Sequence, residues 1–252
     1  MKLASLRLPA LLLATVALVG AVQATVTEKF SQTYPLNADG VVSLDSVNGT
    51  VEIVGWDKNE VSVEAEKIAS DDDGLKRLEI VVDASPAKVA IKTKFEKKWF
   101  SFSFGRAEVR YKLHVPARAS LKKIDVVNAD VTVRGVQGYV DLDSVNGSIT
   151  AEGLSAGGRF DTVNGSIRAT FEKISAGDRI VLDTVNGSCT ATLPANAAFT
   201  LKSDSVNGSI SCDFPITIGK AGRRHLNGSV NGGGAEVVLD SVNGSLSIRA
   251  AK

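Results

Sequence analysis

Apolar and polar residues alternate along most of the chain, as expected for strands with one buried face. In a representative stretch, Val140, Leu142, Val145, Ile149 and Ala151 are separated by Asp, Asn, Ser, Thr and Gly. The alternation changes phase between Leu142 and Val145, so the backbone is expected to bend there. Aromatic residues make up only 6% of the sequence, and small and β-branched residues are plentiful. This composition favours many short strands over a helical core.

The phase change coincides with a repeated hexapeptide, Asp-[Ser/Thr]-Val-Asn-Gly-[Ser/Thr], which occurs six times. A decayed copy contains Asn128, and from there the asparagines of successive copies are 18, 18, 22, 21 and 36 residues apart. A period of about 20 residues is typical of stacked repeat proteins. The Asn-Gly pairs of the six complete copies are Asn48 and Gly49, Asn146 and Gly147, Asn164 and Gly165, Asn186 and Gly187, Asn207 and Gly208, and Asn243 and Gly244.

Two backbone arrangements fit this repeat, and both are all-β. In the first, each unit is one rung, about 18–22 residues long, of a right-handed parallel β-solenoid. Asn and Gly would then adopt left-handed conformations at a corner, and asparagines about 4.8 Å apart in successive rungs would form amide ladders. In the second, the units are stacked β-hairpins, and each Asn-Gly pair forms a type I′ turn. The near-constant period and the identity of the whole hexapeptide favour the solenoid.

Residues 1–24 have the pattern of a secretory signal peptide. Lys2 and Arg7 precede an apolar run over residues 8–22, and Ala24 occupies the position before the expected cleavage site. The run is shorter than the roughly 20 residues that span a bilayer. We therefore expect cleavage after Ala24 and a periplasmic or secreted protein with no transmembrane segment in the mature chain.

Cleavage at this site would leave an almost neutral protein. It removes two of the 29 basic residues, so 27 basic residues remain against 28 acidic ones, and the net charge becomes about −1. This balance argues against nucleic acid as a partner.

The mature chain has two parts, which differ in how regularly the β-strand pattern repeats. Residues 25–120 form an irregular β region, and residues 121–252 form the regular stack; together they are expected to make one continuous body. Asp71-Asp72-Asp73-Gly74 predicts a turn that begins a short helix. At the other end, Arg249 and Lys252 would protect the exposed edge of the last rung with charge.

Residues 94–106 are the most unusual segment of the N-terminal region. Trp99, Phe100, Phe102 and Phe104 are clustered there among basic residues. One interpretation is a loop that contacts a membrane, a glycan or a partner protein. The other is a half-buried strand, because the three phenylalanines alternate with serines. The strand is the favoured interpretation.

The aspartates of the hexapeptide are the main candidates for chemistry. Asp143, Asp161, Asp183, Asp204 and Asp240 should form one column in a solenoid, about 5 Å apart, which matches the carboxylate separation of a retaining glycosidase. Every rung carries the same residue, however, whereas an enzyme needs one distinctive pair. Calcium is the other possibility for a row of acids, but the glycine-rich nonapeptide of calcium β-rolls is absent. We therefore predict no catalytic residues, no metal site and no cofactor.

The two cysteines and His114 have simple interpretations. Cys189 and Cys212 would lie on the same face of adjacent rungs, offset by two residues and about 8 Å apart. That distance exceeds the roughly 7 Å limit for a disulfide, and a small register shift would allow the bond. His114 alternates with Leu113 and Val115, which predicts a strand residue that faces solvent.

Several short motifs carry a family resemblance. They are Val54-Gly55-Trp56-Asp57, Val61-Ser62-Val63, Leu113-His114-Val115-Pro116 and the Val-Asn-Gly-Ser/Thr series. Together they resemble a family of bacterial adhesin-like extracytoplasmic domains with β-strand repeats and no assigned function. The resemblance covers nearly all of the mature chain. It implies a β-solenoid-like fold and an envelope or secreted location, and it offers no catalytic residues.

The sequence is thus expected to encode an exported, non-catalytic β-repeat protein of the cell envelope. It would act as an adhesin or scaffold that binds a glycan, lipid or protein of the surface or envelope. The first alternative is a regulatory binding protein that senses envelope stress. The second is a polysaccharide-active enzyme, which would need a non-repeating pair of acids in a groove, and the sequence shows no such pair.

Overall fold

The computed structural model describes residues 25–95 and 107–251, which form nineteen strands and one short helix. The helix α1, Asp72–Lys76, begins as predicted: the Asp71 carboxylate accepts a hydrogen bond of 2.6 Å from Gly74 N. The strands are β1 Val26–Pro35, β2 Val41–Trp56, β3 Glu60–Ala69, β4 Leu78–Ser85, β5 Lys88–Phe95, β6 Ala107–Pro116, β7 Ser120–Arg134, β8 Val140–Asn146, β9 Ile149–Leu154, β10 Gly158–Asn164, β11 Ile167–Phe171, β12 Arg179–Asn186, β13 Cys189–Leu193, β14 Phe199–Asn207, β15 Ile210–Cys212, β16 Thr217–Ala221, β17 His225–Val230, β18 Ala235–Asn243 and β19 Leu246–Ala250.

The strands form two walls that meet along the Asn-Gly corners. Strands that precede a corner form the first wall, and strands that follow a corner form the second. The long strands β2 and β7 run through their corners and belong to both walls. The order in the first wall is β4-β5-β2-β7-β8-β10-β12-β18-β14-β17-β16. The order in the second is β1-β3-β6-β2-β7-β9-β11-β13-β19-β15.

The pairing confirms the predicted parallel β-solenoid. Neighbouring rungs are in phase, so that Asp143 lies opposite Asp161 and Asn146 lies opposite Asn164. The strands that flank one corner, β8 and β9, each pair in parallel with strands of the neighbouring rungs. A type I′ hairpin would instead pair β8 with β9 in antiparallel register. The hairpin alternative is therefore wrong.

The order of rungs departs from the order of the sequence at two places. Residues of the first repeat, around Asn48, stack on those around Asn128, although 80 residues separate the two asparagines. The last repeat, β18 and β19, lies between the rung of β12 and β13 and the rung of β14 and β15. The chain therefore leaves the stack after β15 and returns one position earlier.

Antiparallel strands cover most of the two ends of the stack. At one end β4 pairs with β5, and β3 and β1 extend from β6. At the other end β17 pairs with β14, and β16 with β17. The prediction that Arg249 lies at the exposed edge is wrong, because β19 is enclosed between β13 and β15. Lys252 lies outside the described residues. Among the described strands, the outer one of the second wall is the three-residue β15, and a short edge of this kind limits aggregation.

The core fills the angle between the walls. In the first wall Leu142, Phe160 and Leu182 occupy equivalent positions and are fully buried. In the second wall Ile149 and Ile167 do the same. Alternate residues of each strand point outward, so the corner, where the alternation changes phase, decides which residues of the hexapeptide are exposed.

Candidate binding face

The corner asparagines form one continuous amide ladder along the stack. Each donates a hydrogen bond from Nδ2 to Oδ1 of the preceding asparagine, at 2.8 Å in five of the six steps and 2.9 Å in the last. At the start, Asn48 Nδ2 donates to the Ala107 carbonyl at 3.2 Å. This asparagine ladder, which was predicted from the repeat, consists of Asn48, Asn128, Asn146, Asn164, Asn186, Asn243 and Asn207 in spatial order.

The corner glycines are required for a reason other than the one predicted. None of the ladder asparagines has a positive φ, and among the corner glycines only Gly49 (φ 133) and Gly147 (φ 153) do. What excludes a side chain is the close approach of successive rungs. A Cβ added to Gly187 would lie 1.8 Å from the Gly165 carbonyl oxygen, and one added to Gly244 would lie 1.7 Å from the Gly187 oxygen.

The Ser or Thr at the second position of the hexapeptide points into the core, and in most copies its hydroxyl donates a hydrogen bond to a corner carbonyl of the neighbouring rung. Thr162 donates to the Gly147 oxygen at 3.1 Å, Thr184 to Gly165 at 3.0 Å and Ser241 to Gly187 at 3.0 Å. Two copies differ: the buried hydroxyl of Ser144 has no hydrogen-bond partner, and that of Ser46 accepts a hydrogen bond from Thr93. Small hydroxyl residues thus satisfy carbonyl groups that the corner removes from the strand pairing.

The valine of each hexapeptide faces solvent, which the sequence did not predict. With Ser144 and its equivalents turned inward, the next residue must point outward. The valines are 38–51% exposed and lie in neighbouring rungs, so they form an apolar stripe. We call it the valine column; it consists of Val47, Val127, Val145, Val163, Val185, Val242 and Val206. With a strand spacing of about 4.8 Å, six steps make it about 29 Å long.

Beside the valines lies a column of seven carboxylates. The strand registers place Asp45, Asp125, Asp143, Asp161, Asp183, Asp240 and Asp204 opposite one another in that order. We call this the aspartate column. Basic or titratable residues stand at its two ends: Lys92 Nζ lies 2.7 Å from Asp45, and His225 is the residue opposite Asp204.

Burial, and to a smaller extent mutual repulsion, raises the pKa of three of these carboxylates, Asp125, Asp161 and Asp240. The pKa of Asp161 is raised to about 7, mainly by burial and also by the carboxylates of Asp143 and Asp183, although Arg159 Nε lies 2.6 Å away and opposes the rise. Burial, followed by the carboxylates of Asp183 and Asp204, raises the pKa of Asp240. Burial thus contributes more to these shifts than the repulsion between neighbouring carboxylates does.

A shallow cavity of about 390 Å³ lies where the aspartate column ends. Asp183, Asp204 and Asp240 line it on one side, and Arg224 and His225 line it on the other. The hairpin of β16 and β17 brings these two residues to the end of the column. No sequence signal in the repeat itself marked either residue, because both belong to the segment between repeats.

The outer surface of the second wall lacks comparable columns. Thr150, Arg168, Thr190 and Ser247 lie opposite one another, so the residue type changes from rung to rung. Among the described residues, the surface formed by the asparagine ladder, the valine column and the aspartate column repeats one chemistry along the whole stack. We call this surface the ladder face.

The remaining candidate residues lie away from the ladder face. Cys189 is on β13 and Cys212 on β15, with β19 between them, and both thiols are free. The expected adjacency of their rungs is wrong, because the last repeat is inserted there; a gap of two strand spacings, about 10 Å, exceeds the reach of a disulfide. Burial and nearby carboxylates raise the pKa of the Cys189 thiol to about 12, so it remains protonated.

His114 is not the simple solvent-facing residue that its pattern predicts. Its ring stacks on Trp56, with 5.1 Å between the ring centroids, and the side chain is half-buried. Trp99, Phe100, Phe102 and Phe104 lie outside the described residues, so the contact-loop interpretation stays a prediction.

A metal site requires a group of metal-ligating side chains, and a membrane-spanning helix must be long and apolar enough to cross a bilayer. Within residues 25–95 and 107–251, no three His, Cys, Asp or Glu side chains are placed to hold a metal ion. The aspartates of neighbouring rungs share a column but do not converge on one point. Nor does any helix in these ranges have the length and apolarity needed to cross a bilayer.

Comparisons with known proteins cover nearly the whole chain. The sequence matches the family described as Toastrack DUF4097 over residues 22–249. No curated protein matches it.

Solved structures with low sequence identity also align with most of the chain. A candidate cell adhesion protein from Clostridium sporogenes is 12% identical, covers 89% of this chain and all of its own, and has a TM-score of 0.46. A candidate adhesin from Bacteroides fragilis is 11% identical, with 88% and 97% coverage and a TM-score of 0.47. A candidate lipid-binding protein from Parabacteroides distasonis is 14% identical, with 90% and 97% coverage and a TM-score of 0.29.

Proposed function

Starting from the fact that this chain belongs to the Toastrack DUF4097 family, we propose that it is an exported, non-catalytic protein that binds a component of the bacterial envelope through the ladder face. The observation that carries the proposal is the valine column. Seven valines, each 38–51% exposed, form an apolar stripe on the surface of a protein that buries most of its other aliphatic side chains. Contiguous exposed apolar surface rimmed by polar residues is typical of interaction sites.

The regularity of the ladder face supports binding rather than catalysis. Each rung presents the same aspartate, valine and asparagine, so no pair of carboxylates is distinguished from the others. A catalytic site needs two groups with different environments, one to give and one to take a proton. A repeating surface instead suits an extended or repeating partner, which it can contact many times with weak individual interactions.

Sedimentation with cell envelopes tests the binding proposal. The protein without residues 1–24 should sediment with envelope fragments of the bacterium that encodes it. Replacing Val145, Val163 and Val185 by Ser should abolish sedimentation, because these three side chains form the middle of the valine column. Ile218→Ser is the control, since Ile218 is 58% exposed but lies on β16, two strands beyond the last rung, and is not part of the valine column. Sedimentation of the triple variant at the wild-type level would refute the proposal.

Export is tested separately through residues 1–24. Fused to a reporter enzyme that is active only outside the cytoplasm, this segment should give activity, and a fusion that starts at Thr25 should not. Equal activity of the two fusions would contradict export through residues 1–24.

The identity of the captured component distinguishes adhesion from regulation. Recovery of glycan or matrix material supports an adhesin or scaffold, whereas recovery of a membrane sensor protein supports a role in envelope-stress sensing. The long, uniform surface favours the first.

A further inference from the structure

We propose that the ladder face binds a linear oligosaccharide of amino sugars with free, protonated amino groups, which lies along the stack with about one sugar per rung. This inference rests on the proposed function, since it names the class of component that the ladder face recognises. Three properties of the face carry it: its charge, its spacing and the combination of groups that each rung presents.

The charge of the face calls for a cationic partner. Ion pairs occur at two of the seven carboxylates of the aspartate column, between Lys92 and Asp45 and between Arg159 and Asp161. In the described part of the chain the other five have no ion pair; they are Asp125, Asp143, Asp183, Asp240 and Asp204. Burial is the main cause of the raised pKa of Asp161, and repulsion from the carboxylates of Asp143 and Asp183 raises it further; a row of ammonium groups would relieve that repulsion. An anionic bilayer surface would increase it.

The spacing of the face favours a glycan over a peptide. Successive aspartates and valines are one strand spacing apart, about 4.8 Å. An extended peptide presents side chains to one side at intervals of about 6.6 Å, which falls out of step with the rungs. A pyranose linked through opposite carbons of its ring advances the chain by nearly one strand spacing. Successive rings of a β-1,4-linked chain are turned over, so substituents on one side of the chain can meet equivalent groups of every second rung, and the chain stays in step with the stack.

The three columns match the three kinds of surface that an amino sugar offers. The carboxylates accept hydrogen bonds from ammonium and hydroxyl groups. The valines can pack against the C–H groups on the faces of the rings. Each ladder asparagine uses one N–H and one oxygen lone pair along the stack and retains a further donor and acceptor for hydroxyl groups.

A second copy of the chain is a poor occupant of the same surface. The valine column is about 29 Å long and, with the columns beside it, about 10 Å wide, so it offers roughly 300 Å². A stable dimer buries about 800 Å² on each partner. Two ladder faces in contact would also bring two aspartate columns close together, and their like charges would oppose association.

Titration calorimetry with three probes tests the proposal on the chain without residues 1–24, which retains every described residue. The probes are a β-1,4-linked glucosamine hexasaccharide, its fully N-acetylated counterpart and hexalysine. The amino hexasaccharide should bind at least tenfold more tightly than either of the others, and added salt should weaken its binding. If hexalysine binds as tightly as the amino hexasaccharide, the protein recognises charge alone. If the acetylated probe binds as tightly as the amino hexasaccharide, the positive charge is not recognised. Either result overturns the proposal.

Variants of the protein connect the affinity to the ladder face. Asp143→Asn with Asp183→Asn should reduce affinity for the amino hexasaccharide at least tenfold. Asp83→Asn with Glu172→Gln removes the same charge from exposed positions outside the ladder face and should leave the affinity unchanged. Equal effects of the two double variants would overturn the assignment. If the hexasaccharide does not bind but envelope sedimentation still depends on the valine column, this inference fails and the proposed function remains.

Discussion

The middle rungs and the last rung of the stack contain the same hexapeptide but differ in their neighbours. Around Asn164 a rung lies on each side, so the side chain both donates and accepts a ladder hydrogen bond. Asn207 ends the ladder, donates to Asn243, and has beyond it only the segment that carries Arg223 and Arg224. The motif therefore does not stabilise a rung by itself. It provides groups whose contribution depends on a second copy at the correct distance, as in other stacked repeat proteins.

The largest difference between the two positions is expected for the corner glycines. In Gly187→Ala the new Cβ would lie 1.8 Å from the Gly165 oxygen. Because another corner is stacked on the opposite side, neither rung can move away to relieve this contact. We expect a loss of more than about 4 kcal/mol of unfolding free energy in urea denaturation, or no folded protein. In Gly208→Ala the corresponding distance is 1.9 Å, but the rung is terminal and can move outward, so about 1–3 kcal/mol is expected.

The control for both variants is Gly219→Ala on β16. Its Cβ would lie 3.7 Å from the nearest atom, and the change should have little effect. Equal costs for the changes at Gly187 and Gly208 would show that the terminal rung is as confined as the middle ones.

The asparagine ladder should show a smaller difference in the same direction. Asn164→Ala removes two exposed ladder hydrogen bonds and is expected to lower the unfolding free energy by about 1–3 kcal/mol. Asn207→Ala removes one and should cost about half as much. Thermal unfolding of the two variants under the same conditions gives the comparison. A larger loss at Asn207 than at Asn164 would contradict the view that each bond contributes independently.

The buried hydroxyls of different rungs differ in hydrogen bonding, and replacing each by valine shows how much the hydroxyl contributes to stability. Thr184→Val deletes a hydrogen bond of 3.0 Å to the Gly165 oxygen and leaves that carbonyl unsatisfied, so a loss of about 1–2 kcal/mol is expected. Ser144→Val removes a buried hydroxyl without a partner, and valine is already present at the equivalent position, Val126, of the neighbouring rung. That variant should be neutral or stabilising by chemical denaturation. Loss of stability at both positions would mean that Ser144 has a hydrogen bond in solution.

The parallel stack and the asparagine ladder could be predicted from sequence because the same residues recur at the same positions of every repeat. A residue such as Asn146 that recurs in every rung must meet its own copies. Which face of the wall the motif valine occupies could not be predicted, because it depends on the inward turn of Ser144 and its equivalents, and serine is found on either face. The alternation groups Val145 together with Leu142 and Ile149, and only the change of phase between Leu142 and Val145 indicates that the valine faces another way.

Contacts between rungs that are distant in the chain were also beyond sequence analysis. The spacing of 36 residues before Asn243 shows an insertion, but not that the chain returns one rung earlier. The error at Cys189 and Cys212 follows directly, since their adjacency was inferred from chain order. The repeat predicts a glycine at position 187 for its left-handed conformation, whereas the structure shows the close approach of a second backbone there, which no local pattern reveals.

A pH dependence of the unfolding free energy is expected to originate in the middle of the aspartate column. Asp161 faces Asp143 on β8 and Asp183 on β12, with Arg159 beside it on β10, and its pKa is about 7 in the folded protein against 3.8 ordinarily. Between these two values the folded state holds a proton that the unfolded state releases. The unfolding free energy must therefore fall as the pH rises from about 4 to about 7. Asp161→Asn removes the contribution of this residue. Urea denaturation between about pH 4 and about pH 7 should therefore show an unfolding free energy that changes less with pH in the variant. The stability of the variant relative to the wild type should increase as the pH rises. If the variant instead becomes less stable relative to the wild type as the pH rises, the ion pair with Arg159 has a larger effect on the pKa of Asp161 than burial and the neighbouring carboxylates together. The negative charge of the aspartate column would then be better neutralised than its geometry indicates.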